Sequence, residues 1–82
     1  MKILFSSHAV ERMEQRKIKS SEVELILREP DGQIRQSNDK WIFFKRFKNR
    51  HDNHIAAVAV HREGNVFEVL TVMIHFEVKK WK

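Results

Sequence analysis

The chain has 82 residues, with 16 Lys and Arg against 11 Asp and Glu, a formal net charge of +5 and 41% hydrophobic content. This is enough apolar material to exclude a wholly disordered chain, and too little for more than one modest core, so a single domain over residues 1–82 is expected. The chain contains no Cys, which excludes disulfide and thiol chemistry and fits a reducing, cytoplasmic setting, and the apolar lead Ile3-Leu4-Phe5 meets polar Ser6 too soon for a signal peptide or membrane span.

Lys2 to Phe5 predicts a short strand or extended lead-in. A hydroxyl at Ser6 or Ser7 can accept an otherwise orphaned N–H and start a helix, which runs to about Arg16 with Val10 and Met13 on an apolar side. Ser21 with Glu24 three residues later reads as a capping box for a second helix. Val23, Ile26 and Leu27 give that helix its stripe, and Leu25 widens it. Pro30-Asp31-Gly32 ends it in a turn.

Beta character follows. Residues 33–36 predict a short strand, and residues 41–47 an aromatic and β-branched one. After the polar turn 48–53 come strands 55–62 and 66–76, around Glu63-Gly64-Asn65. The expected fold class is α+β: an N-terminal helical hairpin on an antiparallel sheet of three to four strands. If Gly64-Asn65 is a two-residue turn, Glu63 faces Val66. Ile55, Ala57, Ala59, Leu70, Val72 and Ile74 then share one face, where the alanines leave room for helices. His54, Val58, Val60, Val69, Thr71, Met73 and His75 share the other.

The first helix carries an uncommon charge pattern. His8, Arg12 and Arg16 are four apart, so at ~100° per residue they fall within an arc of about 80°. Like charges at this spacing repel by a few tenths of a kcal/mol per pair. Such a row suggests an anion as partner, and phosphate suits arginine best.

The segment His8-Ala9-x-x-Arg12-Met13-x-x-Arg16-x-Ile18, followed by Glu22-Val23 and Pro30-Asp31, resembles a family of small bacterial and phage domains of unknown function with an HAxxRMxxR signature. Val69-Leu70-Thr71-Val72 is similar to that family's closing strand. The family is grouped with RelE- and ParE-like toxins, many of which cleave RNA. The resemblance implies a RelE-like fold, with a helical pair packed on a curved antiparallel sheet, and carries His8, Arg12 and Arg16 as the family-signature positions.

Metal-free RNA cleavage needs a base for the ribose 2′-hydroxyl, cations for the charge building on phosphate, and an acid for the departing oxygen. His8 can serve as acid or base, its reference pKa of ~6.5 lying near working pH. Arg12 and Arg16 suit clamping and charge stabilisation. His75, with Thr71, is a further catalytic candidate if the helix reaches its face. Lys45, Arg46 and Lys48 interleave with Phe43, Phe44 and Phe47, the mixture that holds single-stranded RNA. The plainer readings are a capping His8, an Arg12 paired with Glu11, Glu14 or Glu22, and a core strand with a solvated end. His51 and His54 form an H-x-x-H with Asp52 nearby but lack the usual zinc ligand set, so no metal and no cofactor is expected.

Three functions compete. The first is a toxin-like, metal-independent ribonuclease acting on mRNA, with the ribosome as a candidate platform and an acidic antitoxin protein as its neutralising partner. The second is a non-catalytic basic module that binds nucleic acid or an acidic protein. The third is an oligomerising subunit that uses Trp41, Phe43, Phe44 and Trp81 as an apolar patch.

Overall fold

A computed structural model describes residues 1–48 and 54–76 of the chain. Its elements, in chain order, are β1 (Lys2–Phe5), α1 (Ser7–Arg16), α2 (Ser20–Arg28), β2 (Gly32–Arg35), β3 (Lys40–Lys45), β4 (Ile55–Arg62) and β5 (Val66–Met73). The α+β expectation holds. The sheet, however, has five strands in the order β1-β5-β4-β3-β2, not three to four, and it is mixed. β2 to β5 form the expected antiparallel meander, whereas β1 runs parallel to β5, with Lys2 opposite Val66 and Phe5 opposite Val69. The chain leaves β1 through two helices and a full meander before β5 returns beside it. A connection that long allows parallel pairing, where a hairpin would impose the opposite sense.

Strand alternation sorts the sheet's side chains onto two faces. On one face Phe43, Ile55, Ala57, Ala59, Val69 and Val72 meet Ala9, Met13, Ile18, Val23, Ile26 and Leu27 from the helices. Ala57 and Ala59 are fully buried there, so their small side chains do admit the helices as expected. On the other face Ile42, Phe44, Ala56 and Val58 form a smaller cluster with Ile34, Met73 and Phe76. Full burial of a side chain such as Ile26 or Ile55 contributes ~1.5–3 kcal/mol, so the helix-side core outweighs the second cluster.

The hairpin β4–β5 departs from the expected register in two places. Arg62, not Glu63, faces Val66, so the loop is the three residues Glu63-Gly64-Asn65. Gly64 and Asn65 both have positive φ, 72° and 57°, the left-handed region that Gly and Asn enter at least cost. A bulge then follows: Ala59 faces Val69, but Val58 faces Thr71, leaving Leu70 as the extra residue. Val69 therefore belongs to the helix-side core, where it is fully buried, and Leu70 does not. Beyond the bulge the pairs Val58–Thr71, Ala57–Val72 and Ala56–Met73 are those expected.

The second helix starts earlier than expected. Its N-cap is Lys19, whose backbone N–H donates to Glu22 Oε1 at 2.8 Å. Ser21 and Glu24 are not the box. Starting at Ser20 leaves Ile18 free to bury beside Met13, and Glu24 instead faces Arg28 at 3.9 Å. β3 ends at Lys45 and β5 at Met73, short of the expected residues 47 and 76.

Candidate phosphate-binding face of helix α1

Ser6 sets where α1 begins. Its Oγ accepts the Ala9 N–H at 3.0 Å and donates to the Leu70 carbonyl at 2.9 Å, while its backbone N–H donates to the Val69 carbonyl at 3.0 Å. One residue thus caps the helix and ties its first turn to the β5 bulge. At the other end Lys17 takes the left-handed conformation (φ 56°, ψ 46°). The Ile18 N–H reaches the Met13 carbonyl at 2.9 Å and the Lys17 N–H reaches Glu14 at 3.3 Å. This is a Schellman closure, and the Ile18–Met13 pair supplies its apolar contact.

Between these ends α1 buries Ala9 and Met13. The row His8, Arg12, Arg16 runs along one flank of that buried stripe. His8 is exposed and Arg12 half-buried. Arg12 Nε donates to His8 Nε2 at 3.4 Å, and its Nη1 donates to Gln15 Oε1 at 3.3 Å. Gln15 in turn donates to Glu11 at 3.5 Å. These bonds are long against the usual ~2.7–3.2 Å, as expected of surface side chains that hold one another loosely. Guanidinium cannot accept a hydrogen bond, so in this contact the imidazole nitrogen is the acceptor. Arg16, one turn further, is half-buried with its Nε shielded from solvent. Sequence spacing thus correctly joined His8 to Arg12. It did not mark Gln15, although Gln15 sits three residues from Arg12 and four from Glu11, spacings at which helical neighbours meet.

A shallow hollow on α1 is lined by Ser7, Val10, Glu11, Glu14 and Gln15. It lies on the acidic flank of the helix, and none of His8, Arg12 and Arg16 lines it, although its Gln15 accepts from Arg12. The row therefore presents an open face and not a cleft.

The remaining candidates lie elsewhere. Lys45 Nζ donates to the Glu29 carbonyl at 2.7 Å and sits 3.7 Å from Asp31, with its side chain only 20% exposed. Asp31 also accepts the Arg46 N–H at 2.9 Å. Lys45 therefore locks the end of β3 to the α2–β2 turn, while the Arg46 and Lys48 side chains stand exposed. The interleaved phenylalanines are not surface rings: Phe43 is 5% and Phe44 9% exposed, on opposite faces of the sheet. His75 lies past the end of β5, exposed, with φ 54°, so it is not a ladder partner of His54. The His54 carbonyl instead accepts from Phe76 N–H at 2.9 Å, and the His54 ring meets Phe44 edge-on. His51, Asp52 and Trp81 lie outside the described residues.

Among the described residues, no helix is long and apolar enough to cross a membrane. No curated protein and no solved structure matches the chain. A family model described as Domain of unknown function (DUF4258) matches residues 5–74, and the chain belongs to that family.

Proposed function

We propose that the chain is an RNA-directed, toxin-like protein whose α1 row docks a phosphodiester of mRNA and cleaves beside it without a metal, under control of an acidic partner protein. The single observation that carries this reading is the His8–Arg12 pair. An exposed imidazole holds its Nε2 3.4 Å from a guanidinium whose hydrogen bonds go to His8 and Gln15 and to no carboxylate, so that the positive charge stays available. In the proposed reaction Arg12 turns from His8 to the phosphate, and the freed His8 Nε2 takes the proton of the ribose 2′-hydroxyl as that oxygen attacks phosphorus. The P–O5′ bond breaks, the departing 5′-oxygen takes a proton from water, and a 2′,3′-cyclic phosphate and a 5′-hydroxyl are left. Arg12 meets the charge that builds on the non-bridging oxygens. Arg16 extends the positive row along the backbone. The net charge of +5 draws the polyanion to this face. The grouping of the resembled family with RelE- and ParE-like toxins supports the same reading.

A second reading, an RNA-binding module that does not cut, draws on the openness of the row. Cleavage sites usually exclude water around the reacting bond, and here none of His8, Arg12 and Arg16 lines the hollow on α1. One experiment separates the two. The chain is induced in a bacterial host and total RNA integrity is followed, beside His8→Ala and Arg12→Ala. Cleavage by the parent that both variants abolish supports the ribonuclease. Intact RNA with salt-dependent RNA binding by the purified parent supports the binding module. Cleavage undiminished in both variants removes α1 as the site.

A further inference from the structure

Cations beside stacked rings do occur in this fold, but across strands and not along one. Arg35 on β2 is the register partner of Trp41 on β3, and its guanidinium carbon lies 5.7 Å from the centre of the indole. His61 on β4 is the partner of Phe67 on β5, and the two rings stack at 4.8 Å with 23° between their planes. Phe43 joins the pairs, stacked on Trp41 at 6.4 Å and edge-on to Phe67 at 5.6 Å. Trp41 and Phe67 are half-buried at the margin of the helix-side core, while Arg35 and His61 are exposed above them.

We propose that Arg35, Trp41, His61 and Phe67 form a stacking platform for unpaired bases of single-stranded RNA. This rests on the reading of the chain as RNA-directed, and it concerns binding, not cleavage. Three features favour bases over other occupants. First, Arg35 is fixed: its Nε and Nη2 donate to the carbonyls of Ser37 and Asn38 at 3.0 and 3.1 Å. A guanidinium immobilised by neutral carbonyls keeps its full charge and presents a flat plate, to which a base stacks on the face and a phosphate binds at the edge. Second, His61 is exposed while its ring stacks on Phe67, so a base can extend the stack without displacing a core side chain. Third, the nearby carboxylate of Glu68 is taken by Arg62 at 2.8 Å. That pair lies on the other face of the sheet, since Glu68 is the neighbour of Phe67. Carboxylate side chains have charge for this surface but no ring to fill the stack, whereas every nucleotide brings both a phosphate and a base.

The test uses the full chain carrying His8→Ala, so that cleavage plays no part, and a short fluorescein-labelled single-stranded RNA read by anisotropy. A second readout is indole fluorescence in a Trp81→Phe background, where Trp41 is the only tryptophan. The RNA is expected to bind and to quench Trp41. His61→Ala and Arg35→Gln, both at exposed positions, are each expected to weaken binding about five- to hundredfold, the range for losing one base stack. An abasic ribose-phosphate chain of equal length is expected to bind at least about fivefold more weakly and to leave Trp41 unquenched. Three results overturn the proposal: an abasic chain that binds as tightly as RNA, parental affinity in either variant, or equal quenching by polyglutamate. Loss of cleavage in the parent bears on the α1 site alone and leaves this outcome unaffected.

Discussion

Replacing Ser6 by Ala removes two interactions through one atom. The Oγ accepts the Ala9 N–H and donates to the Leu70 carbonyl, at 3.0 and 2.9 Å. Loss of a serine N-cap typically costs ~1 kcal/mol. Leaving the partly buried carbonyl of a bulge residue without its donor adds ~0.5–1.5 kcal/mol. The expected total is therefore about 1.5–2.5 kcal/mol, a large share of the stability of so small a protein. At ~4–8 °C per kcal/mol for this size, the melting temperature should fall by about 6–20 °C. Urea unfolding followed by far-UV circular dichroism gives the free energy directly. Ser7→Ala is the control, since Ser7 is exposed and does not cap; it should stay within ~0.5 kcal/mol of the parent. Ser6→Asp keeps the cap acceptor but cannot donate to Leu70, and should fall between the two. A cost for Ser6→Ala no larger than that for Ser7→Ala would refute the claim that this hydroxyl anchors α1 to the sheet.

Two further substitutions test the backbone reasoning. A Cβ on Gly32 would lie 2.3 Å from Phe44 Cζ, and that ring is wedged between His54 and Phe76. Gly32→Ala should therefore cost ~1–3 kcal/mol in urea unfolding, as overpacked positions do. Lys17 occupies the left-handed position that closes α1, where a side chain is strained and glycine is not. Lys17→Gly should raise stability by ~0.5–1 kcal/mol, and a lowered urea midpoint would contradict the Schellman assignment.

What was legible in the sequence follows the range of each interaction. The bounds, cap and cation row of helix α1 were readable because they are set by neighbours within four residues. Of its apolar side Met13 was placed correctly, but Val10 is 42% exposed and Ala9 takes the buried position instead. The β4 boundaries were readable from an apolar run that stops at charged Arg62. The start of α2 was misread because Ser21-x-x-Glu24 and Lys19-x-x-Glu22 offer rival boxes, and tertiary burial of Ile18 decides between them. The pairing of β1 with β5 could not be read at all, since its partners lie more than sixty residues apart and no local pattern encodes a parallel neighbour. Lys45 looked like a free cation because nothing in residues 41–48 reveals that Glu29 and Asp31 fold back onto it. The Arg35–Trp41 and His61–Phe67 pairs were invisible for a related reason: each exists only once the strand register is known.

The register of β5 ties these threads to the candidate site. Before the bulge, Phe67 and Val69 face the helices; after it, Val72 and Ile74 do. The inward positions change from odd to even, and the spacing from Val69 to Val72 is three where strict alternation would demand two. A continuous ladder from the three-residue loop would place Ala57 opposite Thr71, turning a hydroxyl toward the helices and Val72, now 1% exposed, toward the opposite face. The extra residue Leu70 corrects that phase. Its carbonyl is also the acceptor that Ser6 uses to start α1. The irregularity that rescues the core is thus the one that fixes the first turn of α1, and with it the position of His8 above Arg12. Selection for a buried Val72 and for a well-placed His8 would act on the same residue, so a change that removes the bulge should damage packing and the candidate site together.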